Sequence, residues 1–117
     1  MARLCTHVLD TARGKPAAGM RVELFAVSPH PRTLVKSCLT NADGRTAEPL
    51  LAGEAIPTGT YELVFGVGAY YRALGELLPE PAFLEEVVVR FGVADGAGNY
   101  HVPLLVSPYG YSTYRGS

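Results

Sequence analysis

A chain of 117 residues, 48% of them hydrophobic, is sized for a single domain (residues 1–117) around one core. A net charge of −1, with no lysine or arginine cluster, excludes a nucleic-acid binder, and no apolar run reaches the ~18 residues of a membrane span. No apolar segment near the N-terminus is long enough for a secretory leader, and Arg115-Gly116-Ser117 is not a peroxisomal address, so a cytoplasmic location is expected. In that reducing setting Cys5 and Cys38 are expected to be free, buried thiols.

The residue pattern reads as β almost throughout. "LCTHVLD" (4–10) is a strand, followed by a turn in "TARGKPAAG". "MRVELFAVS" (20–28) and "TLVKSCLT" (33–40) alternate as strands, and "NADG" (41–44) is a strong turn signal because Asp-Gly supplies positive φ. "RTAEPL" (45–50) is a short strand that Pro49 confines to an edge. "GTYELVFGV" (59–67) is a strand, and "AYYRALGELLP" is the one helix, about residues 69–78, stopped by Pro79. "EEVVVRFGVAD" (85–95), "YHVPLLVS" (100–107) and "GYSTYRG" (110–116) complete about eight strands and an antiparallel β-sandwich.

Two strands lack a solvent-like outer face. In 4–10, Leu4, Thr6 and Val8 oppose Cys5, His7 and Leu9; in 100–107, Tyr100, Val102, Leu104 and Val106 oppose His101, Pro103, Leu105 and Ser107. Outer strand faces normally carry charges, so these faces are expected to be covered by another subunit. The final strand puts Ser112, Tyr114 and Gly116 on one side. His7 and His101 are thus candidates for an interface pair or for general acid/base chemistry. Arg45, after the Asp43-Gly44 turn, is either a surface cation or a planar group for a carbonyl-rich or anionic substrate. His30, between prolines, reads as a solvated loop residue, and Asp10 and Glu85-Glu86 as turn or solvent-facing charges. No zinc-ligand spacing such as H-x-H or C-x-x-C is present, and no metal is expected. Nucleophile-elbow, phosphate-loop and dinucleotide motifs are also absent.

The strings "THVLD", "DGR" and "YHVPLLVSPYGYSTYRGS" occur in that order across nearly the whole chain. They resemble the transthyretin-related proteins, the 5-hydroxyisourate hydrolases of purine degradation. The terminal Tyr-Arg-Gly-Ser distinguishes that group from the hormone carrier transthyretin. The resemblance implies a transthyretin-like, all-β sandwich with one short helix, assembled as a homotetramer (a dimer of dimers). It implies that His7, Arg45, His101, Tyr114 and Ser117 line a channel between the paired dimers. Ser112, on the same strand side as Tyr114, joins the substrate-binding candidates. The stretch "LPEPAFLEE" matches the family less well.

The implied reaction is hydrolysis of a ring amide of 5-hydroxyisourate, giving 2-oxo-4-hydroxy-4-carboxy-5-ureidoimidazoline. One histidine, His7, would be the base, His101 would position the water or substrate, and Arg45 would polarise the heterocycle. Tyr114 and Ser117 would wall the pocket. No cofactor is needed, because water attack on a strained, activated ring is not intrinsically demanding. The alternatives are a transthyretin-like carrier of a hydrophobic small molecule and a purely structural oligomer, which leave His7, Arg45 and His101 unexplained.

Overall fold

The computed structural model describes residues 1–116. The run expected as one strand over 4–10 forms two, β1 (Ala2–Cys5) and β2 (Val8–Asp10), separated by Thr6 and His7. After a two-residue strand β3 (Lys15–Pro16) come β4 (Arg21–Ser28), β5 (Thr33–Leu39), β6 (Leu51–Gly53) and β7 (Gly59–Phe65). The helix α1 (Val67–Ala73) leads to β8 (Val87–Val93), β9 (Asn99–His101), β10 (Leu104–Ser107) and β11 (Gly110–Thr113).

One sheet has the order β5-β4-β7-β8, antiparallel throughout. The other side of the core is built from β6-β1-β9 and β11-β10-β2-β3. These two groups run on from one another. Cys5 faces His101 and Val8 faces Leu104 in one parallel register across the gap. At the gap the Thr6 hydroxyl donates to the Val102 carbonyl at 2.7 Å, in place of a backbone partner. Pro103 has no N–H to give the neighbouring strand. Even so, the β10–β11 register carries past it, so that Leu104 opposes Thr113 and His101 opposes Gly116. The Gly116 N–H donates to the His101 carbonyl at 2.7 Å, and the Thr113 hydroxyl donates to the Pro103 carbonyl at 2.7 Å. The strands expected over 100–107 and 110–116 are therefore present, but interrupted where proline sits.

Strand parity matches the alternation in the sequence. Leu4, Thr6 and Val8 are buried while Cys5, His7 and Leu9 are half-buried; Tyr100, Val102, Leu104 and Val106 are buried. They pack with Val22, Leu24, Leu63, Phe65 and Val89 of the facing sheet.

Five expectations need correction. Residues 45–50 form no strand beyond a bridge between Arg45 and His7; pairing begins past Pro49, at β6, where an N–H is available again. The helix begins at Val67 and ends before Gly75, whose φ of 90° closes it four residues ahead of Pro79. Asp10 is not a solvent-facing charge but is fully buried. It accepts hydrogen bonds from the Tyr70 and Tyr71 hydroxyls at 2.8 and 2.7 Å and from the N–H groups of Ala12 and Arg13, pinning α1 to the end of β2. Burial, and then the Asp10 carboxylate, push the Tyr71 hydroxyl's pKa far upward. Finally, Glu85 is held by Arg72 at 3.0 Å, so that Arg72 and the Ala82 N–H draw its carboxyl down to about 2; Glu86 is exposed and pairs with Arg21 at 2.7 Å. Cys5 and Cys38 are free, as expected, but half-exposed rather than buried.

Candidate active site

The loop 41–45 is tied by its own asparagine. Asn41 Oδ1 accepts the N–H groups of Asp43 and Arg45 at 2.9 and 3.2 Å. Gly44, at φ 75°, lies so close to β2 that a Cβ there would stand 2.3 Å from the Val8 carbonyl oxygen. Its own carbonyl accepts the Val8 N–H at 2.8 Å. Only glycine fits both the turn and this approach, and the result is that Arg45 bridges His7 across the strand. The His7 Nε2 lies 2.8 Å from the Asp43 carbonyl oxygen. That oxygen can only accept, so Nε2 carries the hydrogen, and in the neutral ring Nδ1 holds the lone pair.

His101 reaches the same place from the neighbouring strand, opposite Cys5. A cleft of about 440 Å³ is lined by Arg3, Cys5, Arg45, Asn99, Tyr100 and His101. His7 stands beside Arg45 just outside that lining. Partial burial, then the nearby charges of Arg45 and His7, hold the His101 pKa below the ordinary histidine value. The arrangement therefore sets two imidazoles, one with a fixed tautomer and one with a lowered pKa, beside an exposed guanidinium, groups whose chemistry can accept a proton, hold a water and polarise a carbonyl.

The terminal segment closes one side. Gly116 runs against His101, and Arg115 lies over the Tyr100 ring at 4.1 Å from its centroid while donating to the Asn99 carbonyl at 3.2 Å. Arg115 thus clamps the segment to β9. Ser112 opposes Leu105, on the outer face of β10. Tyr114 is exposed and borders a separate depression of about 170 Å³ with Val89, Phe91 and Tyr100, apart from the histidine cleft. The structure thus brings His7, Arg45 and His101 together within one chain and leaves Tyr114 outside that cleft; Ser117 lies outside the described residues. His30 is exposed in its loop. Sequence reading missed Arg3, Asn99 and the carbonyl of Asp43. Arg3 was within reach of it, since it shares the parity of Cys5 and His7.

Among the described residues no group of three or more His, Cys, Asp or Glu side chains gathers as a metal site. No helix among them is long and apolar enough to cross a membrane.

A two-layer β-sandwich with a short helix, bearing a polar histidine–arginine cleft on one outer face, defines the class. The family model of the HIUase/Transthyretin family matches residues 4–116, and the chain belongs to that family. It is 58% identical over 117 residues to the 5-hydroxyisourate hydrolase of Ralstonia nicotianae, covering all of both chains. The structure of the Klebsiella pneumoniae 5-hydroxyisourate hydrolase superposes with a TM-score of 0.83 at 32% identity over the whole of both chains. Transthyretin from Sparus aurata superposes equally well, with a TM-score of 0.83, but at 27% identity over 97% of this chain and 96% of that one.

Proposed function

We propose that this chain is a hydroxyisourate hydrolase, that it opens 5-hydroxyisourate by attack of water on a ring amide carbonyl, and that His7, Arg45 and His101 carry the reaction. The enzyme reading is favoured over a carrier by the much higher identity to the Ralstonia nicotianae hydrolase than to transthyretin. The observation that supports the residue assignment is that Arg45 and His101 line one cleft with His7 beside Arg45 at its edge, the His101 pKa being lowered by partial burial and then by the neighbouring charges.

In this mechanism His7 is the base. Its Nε2–H is anchored on the Asp43 carbonyl, which fixes the tautomer and stabilises the imidazolium once Nδ1 has taken a proton from water. His101 holds the attacking water or the substrate. The water oxygen bonds to the ring carbonyl carbon, and negative charge moves onto the carbonyl oxygen, where the Arg45 guanidinium meets it. The C–N bond then breaks, and the nitrogen takes the proton held by His7 and leaves as the ureido group. The new carboxylic acid ionises to a carboxylate, so the product is 2-oxo-4-hydroxy-4-carboxy-5-ureidoimidazoline. No metal or organic cofactor enters these steps. Tyr114, Ser112 and Ser117 contribute in the proposed homotetramer, a dimer of dimers in which the half-buried face of β1, β2, β9 and β10 is covered by another copy.

The test is to generate 5-hydroxyisourate in situ from urate and follow its ultraviolet decay. Wild type accelerates the decay, and H7A and H101A each lower turnover by about 10²–10⁴, the scale of a lost acid/base group. Folded variants that both keep the wild-type rate would overturn the assignment. Light scattering reads the tetramer, and a 12.5 kDa monomer at micromolar concentration would refute it.

A further inference from the structure

The cleft holds one more cation than the reaction needs. Arg3 projects from β1 with the parity of Cys5 and His7, opposite Asn99, and lines the 440 Å³ cleft together with Arg45 and His101. Arg3 and Arg45 also share the adjoining depression of about 200 Å³. The ion pairs among the described residues are made by Arg21, Arg32, Arg72 and Arg90, and neither Arg3 nor Arg45 takes part in one. Among the described residues no acidic side chain lines the cleft, and Glu48, which borders the adjoining depression, pairs with neither arginine. Two guanidinia without carboxylate partners among the described residues therefore face one space. Like charges held together in this way repel, and an arriving anion relieves the repulsion.

We propose that Arg3 is a second anion-binding group of the cleft, which takes the carboxylate that ring opening creates. The identity of that carboxylate rests on the hydrolase reading; the anion site itself does not. Arg45 serves the carbonyl oxygen that gains charge during attack. The full negative charge exists only after the C–N bond has broken and the acid has ionised, and a planar fork is the group that grips a carboxylate through two parallel hydrogen bonds. Arg3 then makes the cleft prefer six-membered heterocycles bearing a carboxylate over the same rings without one.

Orotate and uracil are the probes, since they differ only by the carboxylate. Each is titrated calorimetrically into wild type, R3Q and R3K at one fixed ionic strength. Wild type is expected to bind orotate about three- to tenfold more tightly than uracil, the range of one partly exposed charged hydrogen-bond pair. R3Q is expected to erase that preference while leaving uracil affinity unchanged, and R3K to keep part of it, as a point charge without the fork. Arg3 is exposed, so the fold tolerates both changes. Wild type that binds no orotate or shows no preference, or R3Q that retains the preference, overturns the proposal. Loss of the hydrolase reading has a separate signature: no turnover of 5-hydroxyisourate by wild type, whatever the binding ratio.

Discussion

The contact between Gly116 and His101 offers the sharpest test of how the terminal segment serves the site. Gly116 has an ordinary backbone conformation, outside the positive-φ region, so alanine brings no backbone strain. The obstacle is space. A Cβ at residue 116 would lie 2.5 Å from His101 Cδ2, 3.2 Å from Cγ and 3.3 Å from Cβ. Carbon atoms rest at about 3.5–4.0 Å, so G116A demands a shift of about 1 Å from the imidazole or from the segment. The segment is held by the 2.7 Å bond from the Gly116 N–H to the His101 carbonyl and by Arg115 on Tyr100 and Asn99. The ring, by contrast, can rotate away, and it is expected to do so. A 1 Å misplacement of a catalytic group costs about 10²-fold, so turnover should fall ten- to a hundredfold. The stability cost stays at about 1–3 kcal/mol, as for other overpacked sites. The assay is the ultraviolet decay of 5-hydroxyisourate, with circular dichroism as a control for folding and the His101 imidazole proton shifts as the direct readout. A folded G116A with the wild-type rate and unmoved His101 resonances would refute the claim that glycine is there to seat the imidazole.

Other outcomes follow from the charges. Because His101 titrates below the ordinary histidine value of 6.5, the unfolded chain binds that proton first, and stability contributed there declines as pH falls from 6.5 toward the folded value; a two-dimensional proton titration reads the shift, and R45Q should raise it toward normal because a repelling charge is gone. D10A leaves the Tyr70 hydroxyl without its acceptor and Tyr71 with only the Val106 carbonyl at 3.2 Å, so urea unfolding should show a loss of about 2–4 kcal/mol; a loss under about 0.5 kcal/mol would contradict the network. Glu85, drawn down to about 2 by Arg72, contributes stability above the unfolded carboxylate value near 4.5 and loses it as pH falls toward 2; E85Q should flatten that limb of a pH–melting curve, more visibly at low salt. Chelation with EDTA should leave turnover unchanged, and activity lost on chelation and restored by zinc would refute the metal-free mechanism.

Which faces are buried is legible from residue alternation. Strict alternation put Leu4, Val8, Tyr100 and Leu104 inward and Cys5, His7 and His101 outward, because a side chain in a strand can only point to one of two sides. The sequence also placed the Asn41–Gly44 turn, whose chemistry is local. What those outward residues meet depends on how distant strands pair. His7 and His101 are far apart in the chain, and only the parallel register of β1–β2 with β9–β10 brings them to the same side of the fold, His101 lining the cleft and His7 at its edge. The same holds for the corrected features. Asp10 looked like a turn residue, because its two tyrosine partners lie some sixty positions away on α1. Residues 45–50 looked like a strand because alternation carries no information about whether an edge is free to pair. Nothing local in the sequence beyond strand parity marks Arg3; the fold brings Arg45 to the same space, with no carboxylate partner for either among the described residues. Periodicity is a local property of the backbone, whereas a site is a coincidence of distant residues, and pairing register is what creates it.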